Sequence, residues 1–328
     1  MYRWSASLRI LYAGAALGAA LAPPLATAQE YPSKPVRWVV PYTPGGGGDS
    51  IGRPLTQKLG EILGKPMVMD NRPGAGGTLG SNLVAKAAPD GYTLLLTLGG
   101  ITVGPAIYPQ LPYDPVKDFA PVILISRSSY VLAVHPSVSA KSVSELLALA
   151  KAKPGALNYS SNGVGTDQHM AAELFKSMAR VDLVHVPFNG TGPAVTSLLG
   201  GQTQVMFLPV TIGLPYINAG KVRALAVSTA KRSAEVLPEL PTIAEAGVPG
   251  FESDAWWCVL APAATPRAIV ERLNRELRQI INTPEMRKYL TERLNEPVGS
   301  TPAELGAQMQ RDATKWLRVA KEANIRGE

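Results

Sequence analysis

Three stretches of the chain carry residue types that can hold a small anion with neutral groups. The first is Val39-Val40-Pro41-Tyr42-Thr43-Pro44-Gly45-Gly46-Gly47-Gly48-Asp49-Ser50. The second runs Asn158-Tyr159-Ser160-Ser161-Asn162-Gly163-Val164-Gly165-Thr166-Asp167-Gln168-His169, and the third Val186-Pro187-Phe188-Asn189-Gly190-Thr191-Gly192-Pro193. Each places apolar β-type residues before a Gly/Ser/Asn turn and then a helix start. A helix start offers N–H groups without intrahelical partners and a positive partial charge. Glycine lets the backbone come within hydrogen-bonding reach of a ligand. The hydroxyls of Thr43, Ser160, Ser161, Thr166 and Thr191 add donors. The expected contact set is Tyr42, Thr43, Pro44, Gly45 and Gly46 from the first stretch, and Ser160, Ser161, Asn162, Gly163, Gly165 and Thr166 from the second. Phe188, Asn189, Gly190 and Thr191 come from the third. His169 can face the same space, or serve as a capping or surface histidine. Asp49 can touch a ligand or cap the first helix.

Other chemistries are poorly supported. A P-loop needs Gly-Lys-Ser/Thr after its spacer, and neither Gly45–Gly48 nor Gly74-Ala75-Gly76-Gly77-Thr78-Leu79-Gly80 has dinucleotide spacing. The histidines, His135, His169 and His185, lack metal-ligand spacing, and no Gly-x-Ser-x-Gly elbow is present. An enzyme would need an acid/base pair, for which only Asp49, Asp167 and His169 offer themselves. Cys258, the one cysteine, lies in the apolar run Trp256-Trp257-Cys258-Val259-Leu260 and reads as a buried, inert thiol. Arg72 can pair with a ligand or form half of a structural ion pair, and the ion pair is the expectation. The expectation is no catalysis, no cofactor and no metal. Because neutral groups dominate the three stretches, binding is expected to vary little between about pH 6 and 8.

These stretches need strands to deliver them and helices to receive them. Strand-type runs recur at Val36–Val40, Met67–Met69, Tyr92–Thr97, Val131–Val134, Leu157–Tyr159, Leu183–Val186, Val205–Leu208 and Ala224–Val227. They alternate with amphipathic segments, the first over Ile51–Leu63, which argues for parallel sheets covered by helices on both faces. Ser142-Val143-Ser144-Glu145 is a capping-box pattern. Thr265-Pro266, Thr283-Pro284 and Thr301-Pro302 each set a capping residue before a proline at the first helical position, giving three C-terminal helices without an intervening strand. Ala120–Val134 and Phe251–Leu260 are both extended and apolar and are followed by proline. They read as two crossings between lobes: residues 29–127 plus 252–328 form lobe 1, and 128–251 form lobe 2. An inserted lobe on two strands is a hinge able to enclose a ligand. Trp256 and Trp257 are adjacent in an extended run, so one faces the cleft and the other the core.

The N-terminal segment has secretory features. Arg3 and Arg9 precede an apolar run over Ile10–Leu21, then Pro23-Pro24 and the small-x-small site Ala26-Thr27-Ala28. The apolar run is shorter than the roughly 20 residues of a membrane span. Residues 1–28 are therefore expected to be removed, leaving a periplasmic protein. Losing Arg3 and Arg9 lowers the formal charge from +7 to +5. That balance mildly favours anions, but no basic block interleaved with aromatics suggests nucleic acid. At 46% apolar and 17% charged, the 328-residue chain can build a large core without disulfides.

Several ordered segments carry a family resemblance. They include Tyr31-Pro32-x-Lys34-Pro35-Val36-Arg37, the Pro41–Asp49 loop, and Asp70-Asn71-Arg72-Pro73-Gly74-Ala75-Gly76-Gly77-Thr78. Ala88-Pro89-Asp90-Gly91-Tyr92-Thr93-Leu94-Leu95, Leu157-Asn158-Tyr159, Val186-Pro187-Phe188, Leu225-Ala226-Val227, Phe251-Glu252 and Ala261-Pro262-x-x-Thr265-Pro266 continue it. Across the mature chain this resembles the Bug/TctC family of substrate-binding proteins. The resemblance implies an α/β, two-lobed periplasmic-binding-protein fold (Venus flytrap, type II) with two hinge crossings. It implies a monomeric extracytoplasmic receptor that takes a small carboxylate and delivers it to a large and a small integral-membrane subunit. The family's grip on a ligand carboxylate, carried over, falls on Thr43 to Gly46 with help from Gly99. The second lobe's contacts fall on Ser160 to Thr166 and Asn189 to Thr191. Asn189 stands where members often carry Lys, and Leu208-Pro209 where they often carry Asp or Asn. These departures put Leu208 at the site and point to a carboxylate with an apolar or aromatic body. A ligand-presenting sensor subunit and a periplasmic enzyme acting on a carboxylate are the alternatives.

Overall fold

β-Branched and aromatic residues in Val36-Arg37-Trp38-Val39-Val40 suit a strand buried on both faces, and Trp38 is fully buried there. The computed structural model describes residues 31–232 and 237–326; the N-terminal segment expected to direct secretion lies outside them. The order is β1 (Val36–Val40), α1 (Gly47–Leu63), β2 (Met67–Asn71), α2 (Thr78–Ala85), β3 (Thr93–Leu98), α3 (Gly104–Ile107) and β4 (Phe119–Val134). There follow α4 (Val143–Ala152), β5 (Asn158–Ser161), α5 (Asp167–Ala179), β6 (Val184–Pro187), α6 (Thr191–Leu199), β7 (Val205–Pro209), α7 (Val210–Asn218) and β8 (Arg223–Val227). The chain ends with β9 (Asp254–Pro262), α8 (Arg267–Ile281), α9 (Pro284–Thr291), β10 (Glu296–Pro297) and α10 (Pro302–Glu322).

Two sheets share β4. In the first, β1 pairs in parallel with β2 and β3, and β3 pairs antiparallel with β9. In the second, β5 pairs in parallel with β6 and β7. The longer N-terminal part of β4 pairs with β9, from Phe119↔Pro262 to Ser129↔Asp254, and its last residues pair with β7, from Tyr130↔Pro209 to Val134↔Val205. The partners change between Ser129 and Tyr130, inside the extended run Ala120–Val134. The sheets are thus mixed rather than wholly parallel. A strand that leaves one lobe for the other runs against the strands it joins.

Three local expectations are corrected. Helix α1 begins at Gly47, four residues before Ile51, because glycine at its start lets the helix crowd against its neighbours. Pro266 is the N-cap of α8 with ψ 133, not its first helical residue, and the Thr265 hydroxyl is buried without a partner. The two-residue strand β10 lies between α9 and α10, paired with Arg127 and Ser126 of β4. Thr283 and Thr301 do cap α9 and α10, the latter as a full capping box with Glu304. Ser142 caps α4, but Glu145 reaches the Lys141 N–H rather than that of Ser142.

Helix α10 runs along β4 and packs on both α3 and α5. Leu305 and Met309 sit in the core of the first sheet, whereas Trp316, Val319 and Ala320 sit in that of the second. Pro54 inside α1 cannot donate to the Ser50 carbonyl, and the Tyr289 hydroxyl of α9 donates to it instead at 2.9 Å.

At the changeover, the Tyr130 N–H donates to the buried Ser228 hydroxyl at 3.0 Å, while the Ser228 N–H donates to the Tyr130 carbonyl at 2.9 Å. The Ser253 N–H closes the set on the Ser228 carbonyl at 2.9 Å. Ser228→Ala leaves the Tyr130 N–H buried without an acceptor and should cost about 1–3 kcal/mol. Urea unfolding should show a lower midpoint with an unchanged m-value; an unchanged midpoint contradicts this role for Ser228.

Candidate functional site

The carboxyl ends of β1 and β3 face those of β5, β6 and β7 across a cavity of about 750 Å³. One wall carries Tyr42, Gly47, Ser50 and Ile51 with Thr97, Leu98, Gly100 and Ile101; the other carries Asn162, Gly165, Thr166, Asp167, Thr191 and Pro209. Tyr108, Tyr113, Tyr130 and Trp257 give it an aromatic lining, and Glu292–Asn295, the turn between α9 and β10, lies at its rim.

Tyr42 is fixed from two sides. Its hydroxyl lies 3.1 Å from that of Thr97 and accepts from the Leu98 N–H at 3.3 Å. Its ring meets Trp257 edge-on at 5.8 Å. Trp257 lines the cavity while Trp256 turns into the core, its indole N–H on Asp312 at 3.0 Å, the division expected of adjacent residues in a strand.

The glycines of the first loop do separate jobs. Gly45 has φ +81, a turn conformation that side chains avoid. A Cβ on Gly47 would stand 2.9 Å from Trp257, and one on Gly48 would stand 2.6 Å from Val40. Gly46, the N-cap, supplies no side-chain acceptor, so the start of α1 is uncapped where it meets the cavity. The same holds for α6, whose N-cap is Gly190 and whose first residue, Thr191, lines the cavity.

Of the residues expected to touch a ligand, Tyr42, Asn162, Gly165, Thr166 and Thr191 line the cavity. Thr43, Pro44, Gly45 and Gly46 belong to the turn leading into α1 and are outside that lining, as are Gly163, Phe188, Asn189 and Gly190. Asp49 is buried inside α1: it accepts from the Gly45 N–H at 3.0 Å, from Asn71 at 3.0 Å and from Arg53 at 2.8 Å. The Gly45 N–H first, with Asn71 and Arg53, holds its carboxyl down at about 2 against the opposing effect of burial. Gly99 packs under Trp256, which a Cβ would approach to 2.2 Å, and Leu208 is fully buried in the second lobe. Ser160 and Ser161 are buried, with the Ser161 hydroxyl 2.7 Å from Nε2 of His185.

His169 stands behind its loop. Its Nδ1 accepts from the Gly165 N–H at 2.9 Å, and its ring stacks on His185 at 4.0 Å, which in turn stacks on Tyr159 at 4.7 Å. Burial, with Lys176 nearby, pulls His169 down to about 4. Burial, then His169, pulls His185 down to about 3. Both rings are neutral supports. Cys258 is buried, which pushes its thiol up.

Sequence reasoning missed Thr97, Gly100, Tyr108, Tyr113 and Tyr130, which reach the cavity from strands and short turns without a loop signature. It also missed Glu292–Asn295, where Leu294 takes a left-handed conformation (φ 57) with no glycine to mark it. Asp167, weighed above only as an enzyme candidate, lines the cavity with its carboxylate against Gly100 opposite.

Residues 51–325 match the family model described as tripartite tricarboxylate transporter family receptor. The chain belongs to that Bug/TctC family. The solved structure of R. palustris Rpa4515 with adipate is 36% identical, covers 90% of this chain and 99% of its own, and superposes with a TM-score of 0.78. The periplasmic binding protein BugD is 31% identical at TM-score 0.76, covering 91% of this chain and 100% of its own. MatC (Rpa3494) from Rhodopseudomonas palustris with bound malate is 34% identical at TM-score 0.75, covering 88% and 99%. This chain is a solute-binding receptor with the family's two-lobed α/β fold. Among its described residues no helix is long and apolar enough to cross a membrane.

The neutral histidine stack makes the second loop sensitive to acid. The unfolded chain binds protons on His169 and His185 near their ordinary value, about 6.5, while the fold resists them. Their contribution to stability is complete above about pH 6.5 and is lost as pH falls toward the folded values of about 4 and 3. The stability gap between the unmodified protein and His185→Gln should narrow as pH falls from about 6.5 to 4, by up to about 1.4 kcal/mol per unit. Urea midpoints across that range check it; a constant gap contradicts it.

Proposed function

We propose that this receptor takes up a small carboxylate in the cleft between its lobes, in the periplasm, and delivers it to the large and small membrane subunits of a tripartite tricarboxylate-type transporter. The observation that carries the ligand class is the pair of uncapped helix starts, at Gly47 of α1 and Thr191 of α6, facing one cavity from opposite lobes. Their free N–H groups and dipoles favour a carboxylate. Adipate in Rpa4515 and malate in MatC support the same class. The aromatic lining suits a ligand with an apolar or aromatic body.

The protein acts as a binder without chemistry, and as a monomer. Of the three candidate acid/base groups, His169 has Nδ1 engaged by the Gly165 N–H and its ring held in the stack, Asp49 is enclosed by Gly45, Asn71 and Arg53, and Asp167 alone of the three lines the cavity, without either of the others as a partner. The lobes are residues 29–127 plus 252–328 and residues 128–251, with the last turns of α10 docked on the second. The change of β4 partners at Ser129 and Tyr130 supports these boundaries. Residues 1–28 are the export signal, removed after Ala28.

The mature protein, unfolded and refolded to strip carried-over ligand, is screened by thermal shift against citrate, dicarboxylates, aromatic carboxylates and neutral analogues. A carboxylate at about 100 times its dissociation constant stabilises the fold by about 2.7 kcal/mol. Stabilisation by carboxylates and not by their amides is the expected result. Equal response to the amides overturns the ligand class.

A further inference from the structure

Asp167 is the first residue of α5, where an acidic residue ordinarily favours the helix dipole. Here its side chain does more than that. The carboxylate lies across the cleft against Gly100, in the turn that follows β3 in the opposite lobe. The fit is close: a Cβ on Gly100 would stand 2.9 and 3.1 Å from the two carboxylate oxygens. The protein's own carboxylate therefore stands against the wall that a ligand's carboxylate would meet. Among the described residues, the cavity's other charged side chains are Glu292 and Arg293, both exposed in the α9–β10 turn.

The surroundings do not neutralise this carboxylate. Asp312 of α10 and Asp254 of β9 both repel it, and Lys315 of α10 attracts it. Lys315 is already paired with Asp312 at 3.1 Å, and Asp254 takes up Arg127 at 2.5 Å. The neutral phenols Tyr42 and Tyr130 face it from the loop after β1 and from β4, and His169 on its own helix is neutral. Burial first, then Asp312 and Asp254, raises the Asp167 carboxyl to about 7.

We propose that Asp167 sets the charge of the ligand: the cleft accepts one carboxylate and admits a second, near Asp167, only when Asp167 carries a proton. This rests on the carboxylate reading above and deepens it. A monocarboxylate places its one charge at the start of α1 and its apolar body along Tyr130 and Trp257. A dicarboxylate of the same length brings a second anion against Asp167 and binds with uptake of one proton. Two carboxylates sharing a site cannot both ionise without penalty. Its affinity therefore falls up to about tenfold per pH unit above about 7, whereas that of the monocarboxylate stays nearly level. The flat pH response expected from neutral loop residues alone then holds only for monoanions.

The test is calorimetric titration at pH 6, 7 and 8 with two matched pairs, hexanoate against adipate and benzoate against terephthalate, on the unmodified protein and on Asp167→Asn. Asparagine keeps the shape of the side chain beside Gly100 and removes its charge. In the unmodified protein the dicarboxylate-to-monocarboxylate Kd ratio should rise severalfold, to about tenfold, from pH 7 to 8. Asp167→Asn should abolish that rise and tighten dicarboxylate binding at pH 8 by at least about tenfold. Titration of the unmodified protein in two buffers of different ionisation enthalpy should show uptake of close to one proton with the dicarboxylate alone, a readout that does not depend on the variant folding. Equal ratios and equal pH slopes in the two proteins overturn the proposal, as does dicarboxylate binding without proton uptake at pH 8. If none of the four compounds binds either protein, the carboxylate reading itself fails and this proposal with it, a result distinct from binding without discrimination.

Discussion

Everything in this receptor hangs on one strand that serves two sheets. The sixteen residues of β4 are hydrogen-bonded to β9 and β10 along their longer N-terminal part and to β7 and β8 along the rest. A strand interior cannot leave its N–H and C=O groups unpaired away from water. Each part therefore needs a complete set of neighbours, and the exchange at Ser129 and Tyr130 must be sealed. The Ser228 hydroxyl and backbone seal it, with Ser253 returning the chain into β9. A shared strand also fixes which strand ends meet. The carboxyl ends of the parallel strands in the two sheets face one gap, the usual place for ligands in open α/β sheets.

That gap is lined by groups the surrounding packing holds still. The starts of α1 and α6 carry glycine as N-cap, which leaves their N–H groups free, whereas α5 is capped by Thr166. Gly47 and Gly48 let α1 sit against Trp257 and Val40, so the helix start reaches the cavity wall. Tyr42 is held by Thr97, Leu98 and Trp257 and contributes a rigid polar edge. Rigid donors suit a receptor because little ordering remains to be done when the ligand arrives.

Charge is distributed with the same economy. The histidine pair is driven neutral by burial and serves as a stacked support behind the β5–α5 loop. Asp49 is held ionised by the Gly45 N–H, Asn71 and Arg53, and stabilises the turn from within. Asp167 alone is driven the other way, by burial and by two neighbouring carboxylates, while facing the cavity. Identical chemical groups thus take different roles according to whether donors or acids surround them.

The sequence by itself determined the strand and helix alternation, the two-lobed fold class and the family. These depend on local pattern: apolar runs, turn residues, Pro136 just after β4 and Pro262 at the end of β9 are short-range signals. It also foresaw the split roles of Trp256 and Trp257, since alternation along a strand is a local rule. Tertiary structure decided which side chains of the three glycine-bearing stretches face the ligand space. Gly99, Ser160, Ser161, Asp49 and Leu208 have the right types and positions, but packing turns them inward or covers them. Tyr113 and Tyr130, the α9–β10 turn, and the reach of Asp167 to Gly100 arise between residues far apart in the chain. Contacts of that kind follow from how the two sheets share β4, and no local pattern encodes them.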